Sequence, residues 1–376
     1  MFFELPSSHI ISWFVKRSPK VAIKKQSTIL LGFIIFYSAS LGLGVRENIE
    51  FSKILFSQIF FGVIGGGVLM FITAKIPSSF WNTYALHIFI LSLAATFLVF
   101  VPGLGIMHGG ARRWISIGEF TLQPAEFLKI GSILLFASWI AVAKNKIRTI
   151  KLGLIPCITI IILVAGSLLL QKDTGTTVVI LSALIGMYFL GGAKLGHVGL
   201  VILICILGIT TLYFVHPYIR SRVDVFLHPN NDPQGASYQI QQSLIAVGAG
   251  GIYGKGFGQS IQKFGFLPEP MGDSIFAVFS EEWGFLGAVV LISLFMLLTF
   301  RGFKIAFNNK DIFTFSMVSG IMLLVIAQSF VNIGAMIGIV PLTGMPLIFV
   351  SKGGTALLIA LGSMGIVLGA SRGMNG

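Results

Sequence analysis

Apolar residues in this sequence gather in long runs, with neither the alternation of strands nor a heptad repeat, and short polar stretches separate the runs. A helix rising 1.5 Å per residue needs about 20 apolar residues to cross the roughly 30 Å hydrocarbon layer of a bilayer. Ten runs reach or approach that length: 27–45, 53–73, 84–104, 125–143, 152–171, 175–192, 196–216, 274–300, 311–337 and 343–369. They predict an all-α polytopic membrane protein with about ten transmembrane helices. Pro341, Pro346, Gly353 and Gly354 interrupt the last run, and a break there frees backbone groups that must face protein or a water-filled cavity.

Two connections are long. Residues 105–124 join the third and fourth runs, and residues 217–273 join the seventh and eighth. The second carries Tyr218, Phe226, Tyr238, Tyr253, Phe257, Phe264 and Phe266, too many aromatic groups for a solvated linker. It is expected to fold back against the membrane or to form half-helices in a cavity. The organisation read from the pattern is a basic N-terminal segment over 1–26, one membrane domain over 27–371 that contains the large outer loop 217–273, and a short tail over 372–376. The first run follows Lys16, Arg17, Lys20, Lys24 and Lys25, but its length and the lack of a clear cleavage site favour a retained anchor over a signal peptide.

Composition sharpens this picture. Charged residues make up 10% of the 376 residues, against about 25% in soluble domains. The formal net charge of +13 is read as basic loops meeting anionic head groups and not as a nucleic-acid surface. Placing the N-terminus inside puts fifteen of the 26 lysines and arginines on the cytoplasmic side, so both termini are expected in the cytoplasm. Cys157 and Cys205 lie in apolar runs and read as small hydrophobes. The six histidines show no metal-ligand spacing, so no metal site is expected from them.

Chemistry concentrates in five stretches. In GGARRWISIGEFTLQPAEFLK, Arg112 and Arg113 adjoin Trp114, and Gln123, Glu126 and Lys129 open the fourth run behind Pro124. This reads either as an interfacial belt with an i,i+3 ion pair or as a cationic wall facing an anionic ligand. In QKDTGTTVVI, Asp173 either caps the sixth helix or joins Thr174, Thr176 and Thr177 in binding a ligand. In GFLPEPMGDSIFAVFSEEWGFLG, Asp273 stands at the mouth of the eighth run, as an N-cap or as a functional acid, and Glu281 and Glu282 lie inside the run. At about 100° per residue Glu281 is expected to line a cavity below Asp273, and Glu282 to pair with another helix. The glycine-rich run GAGGIYGKGFGQSIQKFG brings Lys255 and Lys263; no strand precedes it, so a dinucleotide site is excluded. In PLTGMPLIFVSKGGTALL, Lys352 is expected to meet an acidic group or an anionic ligand.

Taken together, GARRWI…LQPAEFLK at 110–129, DTGTT at 173–177, DPQGASYQIQQSLIAVGAGG at 232–251, GKGFGQSIQKFGFLPEPMGDSIFAVFSEEWGFLG at 254–287 and PLTGMPLIFVSKGGTA at 341–356 resemble the SEDS family (shape, elongation, division and sporulation proteins). The resemblance covers nearly the whole chain from about residue 27 and is closer to the division branch, FtsW, than to the elongation branch, RodA. The chain departs from the common pattern at Met271-Gly272, Ser274-Ile275 and Ser351 to Ala356. The resemblance implies a peptidoglycan glycosyltransferase. Such an enzyme polymerises lipid II, a disaccharide-pentapeptide on undecaprenyl diphosphate, at the outer face of the bacterial cytoplasmic membrane during septal wall synthesis. The alternatives are a lipid II flippase or exporter, an elongation-type polymerase and a scaffold. The family match makes Asp273 the catalytic acid–base group.

Arg112, Arg113, Gln123, Glu126, Lys129, Asp173, Lys255, Lys263, Glu281 and Lys352 form the pool of substrate-binding residues. No organic cofactor is implied, and a divalent cation, Mg2+ or Mn2+, is an option at the diphosphate. The implied partners are a class B penicillin-binding protein transpeptidase, other division proteins and membrane lipids, with no nucleic acid.

The charge bias yields a topology prediction. A single cysteine introduced near residue 230 is expected to react with a membrane-impermeant thiol reagent in intact cells. Reaction only after the membrane is breached would invert the topology.

Overall fold

The computed structural model describes residues 56–108, 111–117, 120–228 and 237–372. The basic segment 1–26, the run 27–45 and the tail beyond Arg372 lie outside the described residues. Among the described residues nine apolar helices follow the remaining runs, and with their flanking turns eight reach at least 18 residues. They are α1 (Gln58–Lys75), α2 (Ser78–Phe97), α3 (Pro124–Ala143), α4 (Ile155–Leu170), α5 (Thr174–Leu190), α6 (Leu195–Val215), α9 (Ile275–Asn308), α10 (Ile312–Met336) and α11 (Gly354–Arg372), and two shorter helices, α7 (Pro217–Leu227) and α8 (Tyr238–Ala249), lie in the connection between α6 and α9.

Local chemistry sets the helix ends. Pro124 takes the first turn of α3, where its missing N–H costs nothing. Asp173 caps α5 by accepting from the Thr176 amide at 3.2 Å, and Asp311 caps α10 by accepting from the Thr314 amide at 3.0 Å. The last span starts later than its hydropathy suggests. Residues 341–353 are irregular, with Gly344 at φ 66° and Phe349 at φ 65°, and α11 begins only at Gly354.

The first long connection departs from the all-helical expectation. It forms an antiparallel three-stranded sheet: β1 (Gly105–His108), β2 (Ala111–Ile117) and β3 (Phe120–Leu122), with Ile106 opposite Trp114 and Ile115 opposite Leu122. Within ARRWISI only Ile115-Ser116-Ile117 alternates between apolar and polar, a signal too short to register among long apolar runs.

The bundle is centred on α10. Within its apolar window 72% of residues are buried, and the figure is 61% for α3, against 11% for α6 at the periphery. Close helix contacts use small residues, as expected where lipid supplies no net drive for association. Gly62 and Gly66 of α1 meet Leu357 and Leu361 of α11, and Thr73 donates to the Gly362 carbonyl at 2.8 Å.

The most unusual element is α9, which breaks at Gly284, where φ is 64° and ψ is −166°. The chain segment ahead of α9 lies in the break. The amides of Lys255 and Gly256 donate to the carbonyls of Glu281 and Glu282 at 3.0 and 2.9 Å, and those of Phe285 and Leu286 donate to Gly251 and Ile252 at 2.8 and 3.1 Å. Groups that a kink would leave unpaired thus find backbone partners. The approach leaves no room for side chains: a Cβ on Gly254, at φ 81°, would overlap the Glu282 carbonyl.

Gly254→Ala is therefore expected to lower the thermal midpoint of the purified protein by several degrees or more, since both contact and backbone angle oppose it. Gly248→Ala, in α8 with no atom within 4 Å of the added methyl, is expected to be near neutral. Equal midpoints for the two variants would show that the close approach at Gly254 does not matter to stability.

Candidate functional site

Glu281 and Glu282, expected respectively to line a cavity and to pair with another helix, both bind the loop that fills the break in α9. Glu281 is fully buried and accepts from Lys255 Nζ at 2.6 Å, Ser260 Oγ at 2.6 Å and the amides of Ile261 and Gln262 at 3.2 Å each. Glu282 accepts from Lys263 Nζ at 2.7 Å, and both side chains are buried. The helical-wheel argument assumed an unbroken helix facing other helices; the inserted loop occupies that space instead. These four charges are structural in geometry, and Glu281 has no face open to a ligand.

Asp273 is different. Ser274, not Asp273, is the N-cap residue of α9, and that end has no side-chain cap, so the capping alternative does not describe Asp273. Its Oδ1 is shut off from solvent without a hydrogen-bond partner. Glu269, with backbone φ of 46°, turns the chain into the site, and the amides of Gly272 and Ser274 donate to its carbonyl at 2.9 and 3.3 Å. Three other elements then hold Asp273 and its neighbours. Asn332 of α10 donates to the Asp273 carbonyl at 2.8 Å, Gln239 of α8 donates to Ser274 Oγ at 3.0 Å, and the Lys352 amide donates to the Met271 carbonyl at 2.7 Å. Burial pushes the Asp273 carboxyl up to about 6; nearby Glu269 adds to the rise, while a hydrogen bond from Gln239 and the charge of Arg222 oppose it.

Arg222 faces this acid. It lies in α7, donates to the Leu342 carbonyl, and holds its guanidinium 5.0 Å from the Tyr218 ring centre. A Cβ on Gly344 would lie 3.8 Å from both Arg222 Nη2 and Asp273 Oδ2, so an exposed glycine stands between cation and acid. Arg113 reaches the same group from β2: its Nη2 donates to Tyr218 Oη at 3.1 Å and to the Lys172 carbonyl. The start of α5 packs on the same irregular segment, because a Cβ on Gly175 would come within 2.9 Å of the Thr343 carbonyl. Asp173, just before it, accepts from Gln123 at 3.3 Å.

The sequence-predicted residues thus separate into groups. Arg113, Gln123, Asp173 and Asp273 connect to the irregular segment 342–345: Asp273 beside Gly344, Arg113 through Tyr218 and Arg222, and Asp173, with its partner Gln123, through Gly175 packed on Thr343. Arg112 is exposed on β2. Glu126 and Lys129 pair at 2.7 Å, and Lys129 also donates to Gln328 at 2.9 Å; all three are buried and line a crevice between α3, α10 and α11. Lys255, Lys263 and Glu281 belong to the loop lock. Lys352 is exposed and enters no ion pair among the described residues, so the acidic partner expected for it is not found: the break in the last span lets its side chain reach out of the protein interior. Sequence reasoning passed over Arg222, Gln239 and Asn332. PYIRSRVDVFL carries the signal for the first, an arginine on a short helix inside a long loop; the other two are neutral amides with no signal of their own.

Comparison with known proteins agrees with this architecture. The family model described as "Cell cycle protein" (FTSW_RODA_SPOVE) matches residues 21–375. Stage V sporulation protein E of Bacillus subtilis (strain 168) is 35% identical over 362 residues, which cover 95% of this chain and 98% of that protein. A probable peptidoglycan glycosyltransferase FtsW of Trichlorobacter lovleyi is 35% identical over 349 residues, covering 91% and 90%. Among solved structures, a chain from a peptidoglycan synthase complex that coordinates polymerization and crosslinking matches with a TM-score of 0.75 and 28% identity, covering 93% and 98%. The rod shape determining protein RodA of Thermus thermophilus shares the fold, with a TM-score of 0.64 at 24% identity over 94% of this chain. The chain belongs to the FtsW/RodA/SpoVE cell cycle protein family, and it is a polytopic membrane protein.

The loop lock generates a double-mutant prediction. Lys263→Met and Glu282→Leu each strand a buried charge and are expected to cost about 3–5 kcal/mol, while the double variant recovers a large part of that loss. Thermal and denaturant unfolding of the four proteins measures the coupling; additive losses would show that the pair is not energetically linked.

Proposed function

From this membership and the geometry around Asp273, we propose that the protein is a peptidoglycan glycosyltransferase that polymerises lipid II during septal wall synthesis, at the outer face of the bacterial cytoplasmic membrane with both termini in the cytoplasm. The observation that carries the reading is a half-buried carboxylate, raised to about 6, facing an arginine across an exposed glycine. Relatives of similar length bear the glycosyltransferase name, and a structural neighbour comes from a peptidoglycan synthase complex, which supports a class B penicillin-binding protein as partner. Other division proteins and membrane lipids complete the proposed surroundings.

In the proposed reaction an acceptor sugar hydroxyl attacks the anomeric carbon of a donor sugar. The new C–O bond forms as the bond from that carbon to the diphosphate breaks, and the lipid diphosphate leaves with the electron pair. Asp273 takes the hydroxyl proton, a transfer worth roughly 10²–10⁴-fold when the base is positioned. Arg222 beside the acid, and Arg113 joined to it through Tyr218, supply positive charge for the leaving diphosphate, with the exposed Lys352 as a further cation on the irregular segment. Gln123 and Asp173 shape the wall under Arg113. The buried Glu126–Lys129–Gln328 cluster fits the role of a polar end to a membrane-embedded crevice for the polyprenyl tail. No three His, Cys, Asp or Glu side chains gather among the described residues, so Mg2+ or Mn2+ at the diphosphate would rest on Asp273 or Glu269 and on the substrate's own phosphate oxygens, where it would offset the charge of the leaving group.

Asp273→Asn tests the assignment. The purified variant, assayed with lipid II and the partner transpeptidase, is expected to bind substrate and lose about two to four orders of magnitude in polymerisation rate. The parent should gain rate as pH rises through about 6, where the carboxyl ionises. The sign for stability is opposite. With its folded pKa above the ordinary value, Asp273 binds more protons folded than unfolded between about 4 and 6, so stability falls across that window and the buried charge is a liability at pH 7. The variant should therefore match or exceed the parent in thermal midpoint. Near-parental polymerisation by the variant would remove Asp273 from the chemistry, and substrate translocation without polymer in the parent would replace the polymerase reading with an exporter.

A further inference from the structure

Asn332 lies in α10, 1% exposed, with both of its amide hydrogen bonds going to the main chain. One reaches the Asp273 carbonyl at 2.8 Å and the other the Met345 carbonyl at 2.7 Å. Its Oδ1 is buried without a partner, as are Asp273 Oδ1 and Thr343 Oγ1 nearby. The two carbonyls belong to different parts of the site. Asp273 ends the outer loop just ahead of α9, while Met345 follows Leu342, whose carbonyl holds Arg222, and Gly344, which separates Arg222 from the acid. Neither carbonyl sits in a regular helix: the amides of Ala277 and Val278 in the first turn of α9 donate to Ser274 and not to Asp273.

We infer that Asn332 is the positioning residue of this site: one side chain sets the distance between the acid and the segment that carries its cation. The inference rests on the polymerase reading above. A neutral amide supplies two N–H donors from one nitrogen to two carbonyls of different chain origin without burying a charge; a carboxylate supplies none, and a leucine of similar volume fills the space without holding either segment. Leaving Oδ1 without a partner carries a desolvation cost that a residue serving only to pack would avoid. The charged groups that act on Asp273 are Glu269 from its own loop and Arg222 from α7, beside the neutral Gln239 from α8.

The test uses the full-length protein with its partner transpeptidase and lipid II. Asn332→Leu is expected to lower kcat about 100-fold with the lipid II Kd within about threefold, because misplacement by about 1 Å costs rate before it costs affinity. Asn332→Asp, which adds a carboxylate beside Asp273, is expected to move the acidic limb of the pH–rate profile up by about one unit. A purely packing role predicts that folded Asn332→Leu, and the isosteric Asn332→Asp at a pH above its limb, retain kcat within threefold; either result overturns the inference. If Asn332→Leu does not fold, the plateau kcat of Asn332→Asp decides, because the carboxylate keeps the volume and lacks the N–H donors. The controls separate this from the larger reading: a polymerising parent and an inactive Asp273→Asn keep the reading whatever Asn332 does.

Discussion

A peptide group inside a bilayer has no water to turn to, so every break in a spanning helix must be repaired by protein. That constraint governs α9. Gly284 opens the helix, and the backbone of 251–256 closes it with four hydrogen bonds, two in each direction. The repair is possible because glycine stands at the points of closest approach, and Gly254 and Gly284 both adopt backbone angles that other residues rarely take. Once the main chains are joined, the side chains follow: Glu281 gathers the loop's amides and Lys255, and Glu282 holds Lys263. Charges costly to bury alone are each other's solvation.

This arrangement lets a long loop behave as a rigid part. Residues 250–263 are fixed to α9 at one end, and Glu269 turns the chain so that Asp273 enters the opening at the other. The rest of the site comes from elements far apart in sequence. β2 brings Arg113, α7 brings Tyr218 and Arg222, α10 brings Asn332, and the break before α11 brings Gly344. Asp273 and Gly344 stand on irregular backbone, Arg113 on the central strand of the sheet, and Tyr218, Arg222 and Asn332 on helices.

The spans were legible in the sequence because hydrocarbon thickness imposes a length that few other constraints imitate. Asp273 was legible because an acid at the mouth of a span is costly and the surrounding motif is distinctive. Glu281 and Glu282 were visible as anomalies but assigned to the wrong neighbours, since angular position around a helix says nothing of a loop inserted into it. Arg222 was hidden by the treatment of 217–273 as one connection; its helix, α7, is short, polar on average and has no buried residue. The sheet over 105–122 was hidden by brevity. Asn332 could not be found at all, because an amide's role depends on which two carbonyls stand beside it, and that is a property of the folded chain.

The repaired break in α9 also fixes an order of events during synthesis. Residues 250–263 leave the ribosome before 281–286, so the loop is made before the groups that satisfy it exist. Its free amides and two ammonium groups must stay hydrated until α9 has been threaded into the membrane behind them. The loop therefore closes after insertion, as a latch that fastens only when the following helix is in place, and the segment leading to Asp273 becomes ordered no earlier than that moment.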